Sequence, residues 1–244
     1  MKVQLDTVKH LLVDLDGTLL GNRNIPLSFD FVIQALGALR KYGTWKQAMR
    51  TLLAIGNEFK KPSSNLTNDL RIVELFAKQM NLSVDEARQI LRDSVSTIFP
   101  TLKRHFYPIE GAKDFLEWAK QNYPLTLATN PVWPSEIVEL RVQWAGIDPA
   151  IFKSITHVRR MHACKPTRKY YEEILEQENL KSENCLLIGD NVKMDLPATA
   201  VGVRVYIVGP YRKVTPLSYS GAKAPAWKGS YSSLREILEN SQLP

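Results

Sequence analysis

Short runs of consecutive apolar residues alternate with segments of helical period along much of the chain. The runs lack the polar alternation of a half-exposed sheet, so they predict buried parallel strands. The predicted strands are His10–Asp14, Leu125–Thr129, Ser154–Val158, Cys185–Asp190 and Val203–Val208. The predicted helices between the later strands are Gly111–Gln121, Ser135–Trp144, Thr167–Gln177 and Met194–Ala200. This rhythm predicts an α/β fold with a doubly wound parallel sheet.

Residues 21–107 interrupt the rhythm, because they contain no convincing strand. Their apolar spacing predicts the helices Phe29–Lys41, Trp45–Phe59, Asp69–Met80 and Val84–Leu102. Ser83 and Glu86 form a capping-box pattern at the start of the last of these helices. We therefore expect an inserted all-helical domain at 21–107 and a core domain built from 1–20 and 108–244.

The last part of the chain is rich in residues that break regular structure. These are Pro210, Pro216, Gly221, Pro225 and Gly229. They predict an irregular segment after Gly209, followed by a helix that Ser233 and Glu236 could cap.

The composition is that of an ordinary globular protein, with 244 residues, 44% hydrophobic and 23% charged. The N-terminus has no apolar stretch typical of a signal peptide, and no segment approaches the length of a membrane span. We therefore expect a cytoplasmic protein without membrane contact. Cys164 and Cys185 are too few for a disulfide framework, and without a His/Cys cluster around them a zinc site is not expected.

The net charge of +7 is concentrated in the insert. Residues 21–107 hold 13 Lys and Arg against 7 Asp and Glu, whereas the remainder holds 19 against 18. No run of five like charges occurs, so solvated helix faces are favoured over a nucleic-acid surface. The basic excess could also attract phosphorylated metabolites.

Two carboxylates, Asp14 and Asp16, stand where the first apolar strand stops, and Gly17 follows them. Alternation along a strand separates neighbouring side chains, but a turn at Gly17 could bring both carboxylates into one pocket. Two other interpretations use the same residues. An Asp can cap a turn, and Asp-Gly between apolar runs is a common hairpin signal.

Polar residues mark the other predicted strand ends as well. They are Thr129-Asn130, Lys165-Pro166 and Gly189-Asp190, with Asp195 shortly beyond. Together with DLDGT at the first strand, their order and spacing resemble the four motifs of the haloacid dehalogenase-like (HAD) hydrolase superfamily over residues 9–208. Each motif is weak by itself, whereas the ordered set is specific.

The resemblance implies a Rossmann-like core and a phosphatase that forms an aspartyl-phosphate. Asp14 would be the nucleophile, and Asp16 would protonate the leaving alcohol and then deprotonate water. The implied Mg²⁺ ligands are Asp14, the backbone carbonyl of Asp16, and Asp190, with Asp195 supporting them from behind. The implied phosphate-binding residues are Thr129, Asn130 and Lys165.

Asp16 also selects within the superfamily, because its dehalogenase branch lacks a carboxylate at this position. Three alternatives stay open. They are a phosphomutase, a phosphonate hydrolase that would use Lys46, Lys60 or Lys61 for an imine, and a non-catalytic binding protein.

The insert resembles the mobile cap that selects substrates in one branch of the superfamily. Its candidate substrate contacts are Arg23, Asn24, Lys46 and Arg50. His105 and His162 are expected to be structural, since the mechanism requires no histidine. The expected partner is a small phosphorylated metabolite, while its identity and the oligomeric state stay open.

Overall fold

The structure, a computed structural model, describes residues 5–62 and 64–241. Its strands are β1 (His10–Val13), β2 (Leu20–Asn22), β3 (Phe106–Pro108), β4 (Leu125–Leu127), β5 (Ser154–Ile155), β6 (Cys185–Gly189), β7 (Arg204–Val208), β8 (Thr215–Leu217) and β9 (Ala226–Gly229). Its α-helices are α1 (Asn24–Leu39), α2 (Trp45–Glu58), α3 (Asn68–Met80), α4 (Val84–Thr101), α5 (Ala112–Asn122), α6 (Ser135–Trp144), α7 (Arg168–Gln177), α8 (Val192–Asp195) and α9 (Tyr231–Ser241). The predicted domain ranges also include residues 1–4, 63 and 242–244, which lie outside the described residues. Within the described ranges, no helix has the length and apolar character needed to cross a membrane.

Seven strands form the main sheet in the order β5-β4-β1-β6-β7-β9-β8. Every neighbouring pair is parallel except β8 and β9 at one edge, which are antiparallel. The order reverses direction beside β1, with later strands added on both sides of it. This topology confirms the predicted α/β fold with a doubly wound parallel sheet.

Both faces of the sheet are covered, which explains the unbroken apolar runs. Along β1, Leu11 and Val13 pack into a core with α5, α6 and α9, whereas Leu12 packs into a second core with α7. Successive side chains of a strand point to opposite faces, so a strand between two helical layers needs apolar residues at every position. All four residues of β1 are buried.

The insert has its own small core, in which Leu36 and Leu39 of α1 pack with Phe76 of α3. The capping box of Ser83 and Glu86 at the start of α4 is present. The expectation that 21–107 lacks strands is wrong at its two ends, where β2 and β3 pair antiparallel. These strands are three residues each, too short to give a recognisable apolar run, and between them the described part of the insert is helical.

The Asp16-Gly17 pair does not form a hairpin. Gly17 has a φ of 80°, and the chain turns there into β2, which pairs with β3 rather than with β1. Four strand ends also come earlier than predicted, since pairing stops before Asp14, Thr129, Val158 and Asp190. These residues follow the regular strands, although the backbone N–H of Asp14 still donates to Ile188 O at 2.9 Å.

Three expectations for the later chain are corrected. The segment after Gly209 is not wholly irregular, because β8 and β9 extend the main sheet there. The predicted helix Met194–Ala200 is a short α8 followed by a 3₁₀ helix at Leu196–Val201, which begins next to Pro197, a residue without an N–H donor. The last helix begins before Ser233, and the Ser230 hydroxyl accepts a hydrogen bond from the Ser233 N–H.

Candidate active site

Three neighbouring strands end at one edge of the sheet and place polar residues there. Strand β1 lies between β4 and β6. Asp14 follows β1, Thr129 and Asn130 lie in the loop after β4, and Asp190 directly follows β6. The carboxyl ends of parallel strands meet at the same edge, which is where open α/β sheets bind ligands.

Lys165 connects two of the acidic residues. Its Nζ lies 2.7 Å from Asp14 Oδ1 and 2.7 Å from Asp195 Oδ1, and all three side chains are buried. Burial opposes the charged form of Lys165, but the charges of Asp14 and Asp195 outweigh it and hold its pKa well above the usual value. Lys165 is therefore a fixed ammonium inside the site.

Asp14, Asp190 and Asp195 form one carboxylate group, in which one oxygen from each lies within 4.8 Å of the others. Burial raises the pKa of Asp14, Lys165 opposes the rise, and the charges of Asp195 and Asp16 add to it. Burial and the charge of Asp195 raise the pKa of Asp190 to about 6. Three carboxylates face one ammonium, and a divalent cation would balance the remaining negative charge.

The donor set fits Mg²⁺, which prefers oxygen ligands. Both oxygens of Asp195 are engaged, one by Lys165 and the other by the backbone N–H of Asn191 at 3.1 Å. The Asp190 carboxylate lies directly over Gly17, since a Cβ there would sit 2.1 Å from Asp190 Oδ2. Both oxygens of Asp14 are engaged as well, by Lys165 and by Thr18. The assignment of Asp14, Asp190 and the Asp16 carbonyl as metal ligands, with Asp195 as support, therefore stays a prediction.

The predicted phosphate-binding residues flank this group. The Thr129 hydroxyl is buried and has no hydrogen-bond partner within the described ranges. Asn130 Oδ1 accepts a hydrogen bond from the backbone N–H of Lys165 at 3.1 Å, so these two predicted residues are linked. Thr18, which the sequence analysis did not assign, donates to Asp14 Oδ2 at 3.2 Å. A buried hydroxyl without a partner is available for a ligand oxygen.

The carboxylate of Asp16 takes a different direction from that of Asp14. It forms an ion pair with Arg141 of α6 and is not part of the group around Lys165. Arg141 was missed at the sequence level, although a signal existed. It stands on the apolar face of α6 together with Ile137, Val138 and Val142, all buried. A charged residue on such a face calls for a nearby countercharge.

A buried glutamate supports the loop that carries Lys165. Glu173 of α7 accepts hydrogen bonds from the backbone N–H groups of His162 and Ala163, and its carboxylate contacts His162 Nδ1 at 2.6 Å. The insert contacts the same loop through Asn68 at the start of α3. The backbone N–H of Asn68 donates to Met161 O at 2.8 Å, and the Asn68 side-chain amide contacts Ala163 O at 3.4 Å.

The candidate cap residues lie on the surface of the insert. Their side chains, those of Arg23, Asn24, Lys46 and Arg50, are exposed. Across 5–62 and 64–241, none of them hydrogen-bonds or ion-pairs with the site carboxylates. Their substrate contacts stay predictions. His105 binds Asp30 of α1 at 2.6 Å, and His162 binds Glu173, so both histidines have structural partners.

A family model described as haloacid dehalogenase-like hydrolase matches residues 8–201. A search of curated proteins gives no match.

Solved structures match nearly the whole chain at low sequence identity. A HAD phosphatase from Thermococcus onnurineus is 18% identical with a TM-score of 0.59, covering 97% of this chain and 100% of its own. A 2-haloacid dehalogenase from Pseudomonas syringae is 19% identical with a TM-score of 0.61. The match covers 96% of this chain and 99% of the dehalogenase. A HAD hydrolase from Bacillus subtilis, solved bound to magnesium, is 18% identical with a TM-score of 0.53, covering 95% and 98%. At this identity the likeness shows the fold alone.

Proposed function

Because the chain belongs to the haloacid dehalogenase-like hydrolase family, we propose that it is a Mg²⁺-dependent phosphatase that hydrolyses a small phosphorylated metabolite through a phosphoaspartate. The observation that carries the proposal is the pairing of two carboxylates in different settings. Asp14 is buried against Lys165, whereas Asp16 is only two residues away and its side chain is 43% exposed. This difference supports Asp14 as the nucleophile and Asp16 as the group that exchanges protons with the substrate.

In the first step an oxygen of Asp14 attacks the phosphorus, and the bond from phosphorus to the leaving oxygen breaks. Asp16 donates a proton to that oxygen, so that an alcohol departs. Lys165 holds Asp14 Oδ1 at 2.7 Å and fixes the carboxylate for the attack. In the proposed mechanism the Thr129 hydroxyl and the Asn130 amide donate hydrogen bonds to the phosphoryl oxygens.

In the second step a water attacks the phosphorus of the aspartyl-phosphate. Asp16 takes a proton from the water, and the bond between Asp14 and phosphorus breaks, which releases phosphate and restores both carboxylates. Mg²⁺, held by Asp14, Asp190 and the Asp16 carbonyl, would offset charge on the phosphoryl oxygens.

Asp16 separates this proposal from dehalogenation, because a leaving halide needs no proton. The phosphonate-hydrolase alternative requires a lysine in the insert. Lys61 forms an ion pair with Glu58 at 2.6 Å and Lys60 contacts Asn57 at 3.4 Å, both on the surface of the insert. Lys46, the third candidate, is exposed as well. We therefore favour hydrolysis of a phosphate monoester.

The test is a panel of phosphate monoesters and 2-haloacids, assayed with Mg²⁺ or with EDTA. We expect phosphate release with Mg²⁺ only, and no halide release. Asp16→Asn should reduce phosphate release by about 10²–10⁴-fold, whereas Asp114→Asn, an exposed residue of α5, should leave it unchanged. Halide release by the wild type, or phosphate release that is indifferent to Asp16→Asn, would contradict the proposal. Transfer of the phosphoryl group back to an organic acceptor without phosphate release would favour a mutase.

A further inference from the structure

Arg141 is a buried cation whose purpose the fold does not explain. It lies on α6 with 4% of its surface exposed, and its Nε has no hydrogen-bond partner within the part of the chain described. Its guanidinium carbon stands 5.5 Å from the centre of the Phe106 ring. Its Nη2 forms an ion pair with Asp16 Oδ1.

A guanidinium taken out of water is costly unless a countercharge compensates it. Among the described residues, Asp16 is the one carboxylate that forms an ion pair with Arg141. A position that served only the packing of α6 would be filled as well or better by an apolar residue, like its neighbours Ile137, Val138 and Val142. The arginine is therefore explained by what it does to Asp16.

The two partners differ in burial. The Asp16 side chain is 43% exposed and belongs to the turn at Gly17, whereas Arg141 is enclosed in the core. Arg141 is thus the fixed member of the pair and determines where the Asp16 carboxylate lies.

The packing around Arg141 also reaches the root of the insert. Phe106 belongs to β3, which pairs with β2 where the chain enters and leaves the insert. The Phe106 ring also packs against the ring of Trp144, with centroids 5.1 Å apart and an interplanar angle of 42°, and Trp144 is on the same helix as Arg141. The position of the guanidinium is therefore set by α6 and β3 together.

We propose that Arg141 is a positioning residue that holds the Asp16 carboxylate for proton transfer. This role rests on the proposed phosphatase function, in which Asp16 protonates the leaving oxygen and then deprotonates water. Without Arg141 the carboxylate would rotate freely about its side-chain bonds, and steps that need a proton would slow. The rate of attack on a substrate whose leaving group needs no proton would change little.

The test is a leaving-group series on Arg141→Met and Arg141→Lys. The series runs from p-nitrophenyl phosphate through phenyl phosphate to an alkyl phosphate, all with Mg²⁺. For Arg141→Met we expect kcat/KM to fall by about 10²-fold or more on the alkyl phosphate and by less than about 10-fold on p-nitrophenyl phosphate. On p-nitrophenyl phosphate, kcat should fall more than kcat/KM, because hydrolysis of the aspartyl-phosphate still needs Asp16 as a base.

Arg141→Lys keeps a positive charge but not the planar fork, so it should show the same pattern with a smaller loss. Arg159→Met is the matched control. Arg159 pairs with Glu136, which is on α6 like Arg141, but the Arg159 side chain is exposed. It should change neither parameter. In an Asp16→Asn background, Arg141→Met should add less than about 3-fold, because the group it positions is gone.

Equal losses across the leaving-group series would assign Arg141 a merely structural role and overturn the proposal. So would an undiminished effect of Arg141→Met in the Asp16→Asn background. If Arg141→Met does not fold, judged by circular dichroism, Arg141→Lys decides by the same criteria. A wild-type protein that hydrolyses none of the series would instead refute the phosphatase function, and with it this role.

Discussion

Replacement of Lys165 by methionine tests the bridge at the centre of the site. The Nζ of Lys165 lies 2.7 Å from a carboxylate oxygen of both Asp14 and Asp195. The side chains of Lys165, Asp14 and Asp195 are 2%, 9% and 1% exposed, respectively. Lys165→Met keeps most of the side-chain volume and removes the charge, so the two carboxylates lose their shared partner.

The expected loss of stability is large because the pair is buried. Removing one partner of a buried ion pair costs about 3–5 kcal/mol, since the other charge is left uncompensated. The loss should shrink at acid pH. Lys165 opposes the rise in the pKa of Asp14 that burial causes, so without it Asp14 takes up a proton more readily in the folded state. Once Asp14 is protonated in both proteins, part of the difference between them disappears.

The assay is urea unfolding followed by tryptophan fluorescence, in EDTA, at about pH 8 and about pH 5. Lys61→Met is the matched control, because Lys61 pairs with Glu58 at 2.6 Å while its side chain is 62% exposed. A surface pair of this kind is worth less than about 1 kcal/mol. A Lys165→Met loss no larger than that of Lys61→Met, or a loss that grows toward acid pH, would refute the reasoning.

Three further predictions concern Gly17, Thr129 and the two cysteines. Gly17→Ala should weaken Mg²⁺ binding, measured by calorimetry, at least about tenfold. The new Cβ would lie 2.1 Å from Asp190 Oδ2, and the φ of residue 17 is 80°, which an alanine rarely adopts. Unchanged Mg²⁺ affinity would contradict the placement of the metal. Thr129→Val should keep the free energy of unfolding within about 1 kcal/mol, since the hydroxyl has no partner in the described residues, while kcat/KM for phosphate monoesters falls about 10²-fold; full activity would show that the hydroxyl does not contact substrate. Burial raises the pKa of Cys164 to about 11 and of Cys185 to about 12, so both thiols should react with Ellman's reagent at least about 100-fold faster after unfolding in urea; rapid labelling of the folded protein would contradict their burial.

The sheet was predictable because buried parallel strands leave an unmistakable apolar pattern. Leu11, Leu12 and Val13 serve two cores, so no polar residue interrupts them. The last strands were not predictable in this way. Strand β8 contains Pro216 and lies at the sheet edge, where the missing N–H costs nothing, and a proline in a sequence argues against a strand.

The site was predictable as far as residues standing directly after strands define it. Asp14, Thr129 and Asp190 lie at adjacent strand ends, so the sheet alone brings them near one another. The ion-pair partner of Asp16 could not be predicted from the sequence. Arg141 comes from a helix far along the chain, and only the packing of that helix against β2 and β3 places its guanidinium beside the loop.

The most direct test of the proposed function is to trap the covalent intermediate. Wild-type protein mixed with Mg²⁺ and p-nitrophenyl phosphate is quenched in acid, digested and mapped by mass spectrometry. The mechanism predicts a phosphoryl group on Asp14, absent with EDTA and absent from Asp14→Asn, which should also release no phosphate. Full Mg²⁺-dependent hydrolysis by Asp14→Asn, or a phosphoryl group on another residue, would contradict it.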